Sequence, residues 1–182
     1  ALALAAGDGH TCAILDNSSV KCWGDGSQGR LGNESTDSIG DGSAQSVADA
    51  TAISLGSGRT AIAITAGGSH TCAILDNSLV KCWGEGTDGR LGYGSQNSLG
   101  DSSSEMGDSL SAINLGSGRT AIAVSAGAQH TCAVLDDATL KCWGKGTNGR
   151  RGSNSTLSAG QTSGTMGDSL AVVAFSTGRT VS

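Results

Sequence analysis

The sequence repeats itself every 60 residues without a slip. His10, His70 and His130 fall in register. So do Cys12, Cys72 and Cys132; Cys22, Cys82 and Cys142; Trp23, Trp83 and Trp143; Arg30, Arg90 and Arg150; and Arg59, Arg119 and Arg179. The shared core reads A-G-x-x-H-T-C-A-[IV]-L-D-x-x-x-[VL]-K-C-W-G-x-G-x-x-G-R-[LR]-G. A period of this length marks a repeat array, in which each unit buries its apolar face only by stacking on a neighbour. We read 1–60, 61–120 and 121–182 as three units of one continuous array.

Within a unit every local signal is β. In the second copy, residues 61–65 alternate and put Ile62 and Ile64 on one face. Residues 66–69 are a turn, and 70–75 a second strand. Asp76, Asn77 and Ser78 reverse the chain, since Asp and Asn tolerate left-handed geometry. A third strand follows over 80–83. A Gly/Ser-rich loop of roughly 25 residues then exceeds the usual loop length of about 12–15. A fourth strand is expected over 112–115. Four short antiparallel strands per unit give an all-β, propeller-like array.

Composition narrows the function classes. Aromatics are 3% of the chain, so the core must be built from Ala, Ile, Leu and Val. Charged residues are 15%, below the ~25% of ordinary soluble domains. Ser and Thr supply the polar surface instead. Proline is absent, where about nine are expected at ordinary usage, so Gly, Asn, Asp and Ser must make the turns. A net charge of −5 with no basic cluster beyond Arg150 and Arg151 argues against nucleic acid, which requires a basic face. No apolar run is long enough for a membrane helix. The start at Ala1, with neither signal peptide nor initiator Met, reads as a mature, processed or trimmed product.

Six cysteines form three C-x9-C pairs, each symmetric about its hairpin turn. Cross-strand neighbours lie close to disulfide range, so Cys12–Cys22, Cys72–Cys82 and Cys132–Cys142 are the expected bonds. A zinc site needs four ligands. His10, Cys12 and Cys22 supply three, and Asp8 is replaced by Gly68 and Ala128 in the other copies. Lasting disulfides imply an oxidising compartment.

Together, A-G-x-x-H-T-C-A-[IV]-L, V-K-C-W-G, G-R-L-G and M-G-D-S-L resemble the regulator of chromosome condensation repeat family in its secreted microbial form. The resemblance covers nearly the whole chain. It implies a β-propeller of four-stranded blades, commonly seven per ring. The sequence departs from the family where Asn usually follows W-G, with Asp25, Glu85 and Lys145. It departs again where Gln usually precedes L-G, with Arg30, Arg90 and Arg150. The third copy also has Arg151 in place of Leu. These changes leave the fold expectation intact and carry over no partner.

No residue pattern carries catalysis. A catalytic base is normally unique, so the thrice-repeated His10, His70 and His130 read as structural donors tying blade to turn. The repeated tryptophans read as packing on a disulfide or between blades. The Gly-rich stretch at 24–29 lacks the Gly-Lys-Ser/Thr ending of a phosphate loop. Asp41 and Asp101 lack calcium-loop spacing. We therefore expect no catalytic residue, no cofactor and no metal. Asn17, Asn33 and Asn154 begin N-x-[ST] glycan acceptors.

Three blades do not close a ring of four to eight. The 1–4 segment matches the start of a repeat, and 179–182 matches the approach to that same strand, which leaves three readings: a segment of a longer repeat protein, two chains closing a six-bladed ring, or chains adding head to tail as a filament. An apolar, uncapped first strand invites pairing with another chain. The leading expectation is an extracellular or cell-surface structural subunit that self-associates head to tail, as a filament or surface layer. The alternative is a secreted propeller that binds a protein or glycan through its Gly/Ser loops.

Overall fold

The computed structural model describes residues 1–42, 45–175 and 181. Three antiparallel sheets follow one another along the chain, each of three strands. The first holds β1 (Ala3–Ala6), β2 (His10–Ile14) and β3 (Val20–Gly24). The second holds β4 (Ala61–Ala66), β5 (His70–Leu75) and β6 (Val80–Gly84). The third holds β7 (Ala121–Ala126), β8 (His130–Leu135) and β9 (Leu140–Gly144). Strand order within each sheet is sequential, and successive sheets pack as blades.

The expected fourth strand is reduced to a single contact. Ile53 N–H donates to Val20 O, Ile113 N–H to Val80 O, and Val173 N–H to Leu140 O, each at 2.8 Å. Each contact adds one rung to the outer edge of a blade. The segment stops there because its next groups face the following blade: Gly107 N–H donates to Ser54 O, and Gly167 N–H to Asn114 O. A segment shared between two blades cannot extend a ladder along one of them. The long loop is also more ordered than its composition suggests. It opens with a 3-10 turn at Thr87–Gly89 and folds back so that Gly84 and Leu99 exchange N–H···O bonds.

Two local expectations are corrected. The ladder between β4 and β5 shifts between Ala61 and Ala63. That bulge turns Ile62 out, 60% exposed, while Ile64 packs on the core. Left-handed geometry in the hairpin falls on Ser78, φ 62°, not on Asp76 or Asn77. Such a three-residue loop places its left-handed residue last. Asn77 acts instead through its side chain, whose Oδ1 accepts from Leu79 N–H.

The core lies between blades rather than within them. One cluster joins Ile14, Val20, Leu31 and Ile53 of the first blade to Ala73, Leu75, Trp83 and Leu110 of the second. Its counterpart joins Ile74, Val80, Leu91 and Ile113 to Ala133, Leu135, Trp143 and Leu170. The 179–182 approach lies outside the described residues except for Val181. Its N–H donates to Ala138 O, as Ala121 N–H does to Ser78 O one repeat earlier.

Backbone packing leaves no room for a side chain at Gly86. Its φ of −94° suits any residue, but a Cβ there would fall on the Asn97 carbonyl. Gly86→Ala must push that loop strand aside. A loss of about 3 kcal/mol, the upper range for overpacking, is expected in equilibrium urea unfolding. An unchanged midpoint would show that the loop yields freely.

Candidate functional site

Strand alternation gives each blade two chemically different faces. Lys81, Trp83, Thr71 and Ala73 point toward the preceding blade. Cys72, Cys82, Ile74 and Val80 point toward the following one. We call these the receiving and offering faces. Register pairs Cys72 with Cys82, and likewise Cys12 with Cys22 and Cys132 with Cys142. Each pair is joined as a disulfide, with Cα atoms 4.0 to 4.1 Å apart. The tryptophans lie on the opposite face from the disulfide of their own blade. Trp83 and Trp143 are fully buried in the two junctions, with Trp83 seated against Gly32 of the first blade.

The histidines tie blade to blade, not blade to turn. His10 Nε2 meets Thr71 Oγ1 at 2.7 Å, and His70 Nε2 meets Thr131 Oγ1 at 2.9 Å. Each threonine hydroxyl donates to a carbonyl, Thr71 to Arg30 O and Thr131 to Arg90 O. That donation leaves the hydroxyl oxygen to accept from the imidazole, which fixes the proton on Nε2. Burial, reinforced by Arg30, holds His10 down to about 4. Burial, reinforced by Arg90, holds His70 down to about 3. Both are neutral at physiological pH.

A buried lysine completes each junction. Lys81 Nζ donates to Leu55 O of the preceding blade and to Gly107 O of its own loop. Lys141 does the same with Leu115 O and Gly167 O. Asp108 accepts from Ser57 N–H and Oγ across the first junction, and Asp168 from Ser117 across the second. Sequence reading assigned no role to these lysines. The signal was present: Lys sits two positions before Trp and shares its parity on the strand, so it had to point into the junction.

The departures at the Asn and Gln positions belong together. Asp25 pairs with Arg30 at 3.0 Å, and Glu85 with Arg90 at 2.6 Å. In the third blade, where Lys145 replaces the acid, Arg150 donates to Gln129 Oε1 instead, and Lys145 reaches back to Asp88 at 3.8 Å.

The two outer faces repeat this chemistry without a neighbour. On the first blade the receiving face leaves Thr11, Leu15, Lys21 and Trp23 half-buried. On the third, the offering face leaves Cys132, Val134 and Leu140 half-buried, although their counterparts in the second blade are buried. His130 points where a fourth blade would present its threonine. Among the described residues, no group of three or more His, Cys, Asp or Glu side chains converges as a metal site. No helix of the described residues is long and apolar enough to cross a membrane. Asn17 and Asn154 are exposed, whereas Asn33 is half-buried, with Oδ1 enclosed and without a hydrogen-bond partner among the described residues.

The 60-residue repeat has counterparts among known proteins. The description "Regulator of chromosome condensation (RCC1) repeat" matches residues 2–30, 61–90 and 121–150. The three repeats belong to the RCC1 repeat family. Human E3 ubiquitin-protein ligase HERC2 is 28% identical over 155 residues, covering 85% of this chain and 3% of the ligase. The ultraviolet-B receptor UVR8 of Arabidopsis thaliana is 28% identical over 156 residues, covering 85% of this chain and 32% of the receptor. Among solved structures, Prp20p of Saccharomyces cerevisiae superposes with a TM-score of 0.71 at 16% identity, over 96% of this chain and 38% of that one. Human WBSCR16 gives 0.67 at 18% identity, over 87% and 39%. These likenesses establish an RCC1-type propeller fold. The chain spans a third or less of the length of these curated relatives and about two fifths of the length of these solved structures.

Proposed function

We propose that these three blades are an arc of a larger RCC1-type propeller, working as a non-enzymatic protein-binding module in an oxidising compartment outside the cell or at its surface. The observation that carries this reading is the pair of open faces. They hold the two separated halves of a junction that the chain builds twice within itself, including a donor at His130 and an acceptor at Thr11. Three disulfides on solvent-poor blade faces support the compartment. N-glycans on the exposed Asn17 and Asn154 fit the same setting.

A second copy is one source of further blades. Formal charge runs from seven acidic and three basic residues in 1–60, through six and three in 61–120, to three and five in 121–182. An acidic first blade and a basic third blade attract each other head to tail, which favours the self-associating reading.

Amine cross-linking with mass spectrometry tests the module. The chain has four lysines, and Lys81 and Lys141 are buried, so Lys21 is the reporter on the open receiving face. Cross-links from Lys21 to another RCC1-type repeat in native material are expected. Links running only from the long loops, with Lys21 modified but uncoupled, would move recognition to the loops. Sedimentation velocity separates the sources of the added blades. A concentration-dependent, salt-weakened assembly with blue-shifted Trp23 emission supports copies, and a persistent monomer assigns the blades to other sequence.

A further inference from the structure

Arg151 stands where the first two blades place Leu31 and Leu91, both fully buried in junctions. It is 7% exposed, and among the described residues it has no acidic partner within ion-pair distance. A buried guanidinium without a counter-charge is costly. Its five N–H donors are only partly used. Nη1 donates to Leu157 O at 3.0 Å and Nη2 to Ser153 Oγ at 3.1 Å, while Nε is buried with no acceptor.

The residues around it have changed in step. Tyr93 in the second blade turns inward and bonds the Cys82 backbone, and the third blade has Ser153 there instead. Glu105, which caps a loop in the second blade, is replaced by Thr165. Asp37 of the first blade is replaced by Leu157. The outcome is a cleft of about 340 Å³ beside Arg151, Ser153, Ser155, Ser158, Thr165 and Ser169. One cation and five hydroxyl side chains line it, Leu157, Ala159, Leu170 and Ala171 complete the wall, and none of its lining residues is a carboxylate.

We infer that this cleft is an oxyanion site whose ligand is a carboxylate, received by the Arg151 guanidinium and the surrounding serine and threonine hydroxyls. A planar guanidinium matches a carboxylate in a two-point contact, and hydroxyls fill the remaining lone pairs. The removal of Glu105 and Asp37 equivalents leaves the counter-charge to come from outside the blade. The carboxylate comes either from an acidic side chain of a neighbouring protein segment or from a free small acid. The residues of the site all belong to the third blade, on the face where Leu31 and Leu91 meet the next blade's tryptophan in the other two.

The test is an NMR titration of the full ¹⁵N-labelled chain with sodium acetate, against sodium chloride at matched ionic strength. Saturable shifts are expected at the amides of Ser153, Ser155 and Ser158 and at Arg151 Nε–H, in acetate only. Arg151→Leu restores the residue of the other two blades and should weaken the midpoint about tenfold or more, the loss of one charge-assisted contact. Ser153→Tyr refills the cleft as Tyr93 does, keeps the arginine, and should weaken binding to the same degree. A capped Gly-Glu-Gly peptide distinguishes the sources. Binding about tenfold tighter than acetate assigns the ligand to a protein side chain, and equal binding assigns it to a free acid. Equal shifts in chloride, or saturable shifts that survive both substitutions, would overturn the site.

Discussion

Trp83→Ala is expected to lower stability by about 3–5 kcal/mol, the usual cost of emptying a large buried aromatic site. Trp83 is fully buried between the first two blades, and its Nε1 has no hydrogen-bond partner among the described residues. The substitution therefore removes packing and breaks no hydrogen bond. Trp23 occupies the same repeat position and is only half-buried, because no blade covers its face. Trp23→Ala should cost about 1 kcal/mol, typical of a partly exposed site. Equilibrium urea unfolding of both variants, with disulfides intact, makes the comparison. Similar losses would mean that the junctions do not carry the stability of the array.

Acidification is expected to have a comparable effect through the histidines. In the unfolded chain an imidazole titrates near 6.5. In the folded chain His10 and His70 stay neutral down to about 4 and about 3. The unfolded state therefore binds more protons as pH falls below 6.5, and stability falls with it. The contribution is fully present above pH 6.5 and is lost toward the folded values. At pH 5 the loss is about 2 kcal/mol per histidine, or about 4 kcal/mol for the two. Asp108 and Asp168, whose carboxyls are held below the usual range by hydrogen bonds from serines, act only at lower pH. The double substitution His10→Gln and His70→Gln keeps a donor in each junction and removes these two titrations. Urea midpoints from pH 7.5 to 5 should fall for the parent chain and much less for the variant, in which His130, also held low by burial, still titrates. A level profile for the parent would show that the imidazoles are not held neutral in the junctions.

Much of the blade was legible because its signals are local. Strand alternation and the symmetric C-x9-C spacing depend on neighbours within one hairpin, and the register of Cys72 opposite Cys82 follows from turn position alone. What was not legible depends on the next blade. The 112–115 segment has strand character, yet it divides its backbone bonds between two blades. His70 gave no hint that its partner was Thr131, since the pairing spans one whole repeat. Ile62 matched a period-two pattern until a bulge turned it out, and a bulge leaves no mark in the order of apolar residues. Arg151 was visible as an irregularity. Its meaning came only from the parallel changes at Ser153, Leu157 and Thr165, which lie together in space.

The imidazole bonds across the junctions both run one way, from the histidine of one blade to the threonine hydroxyl of the next. The array thus has a direction, and its parts are interchangeable only along it. Excising residues 61–120 would bring His10 to Thr131 and Leu31 to Trp143, rebuilding the same contact from other members of the series. Appending another copy of the third unit would instead press Arg151 against tryptophan. Growth and shrinkage by duplication are therefore unequal for this chain: a middle unit can be lost or gained silently, while a unit stacked on the third must bring a negative charge to Arg151.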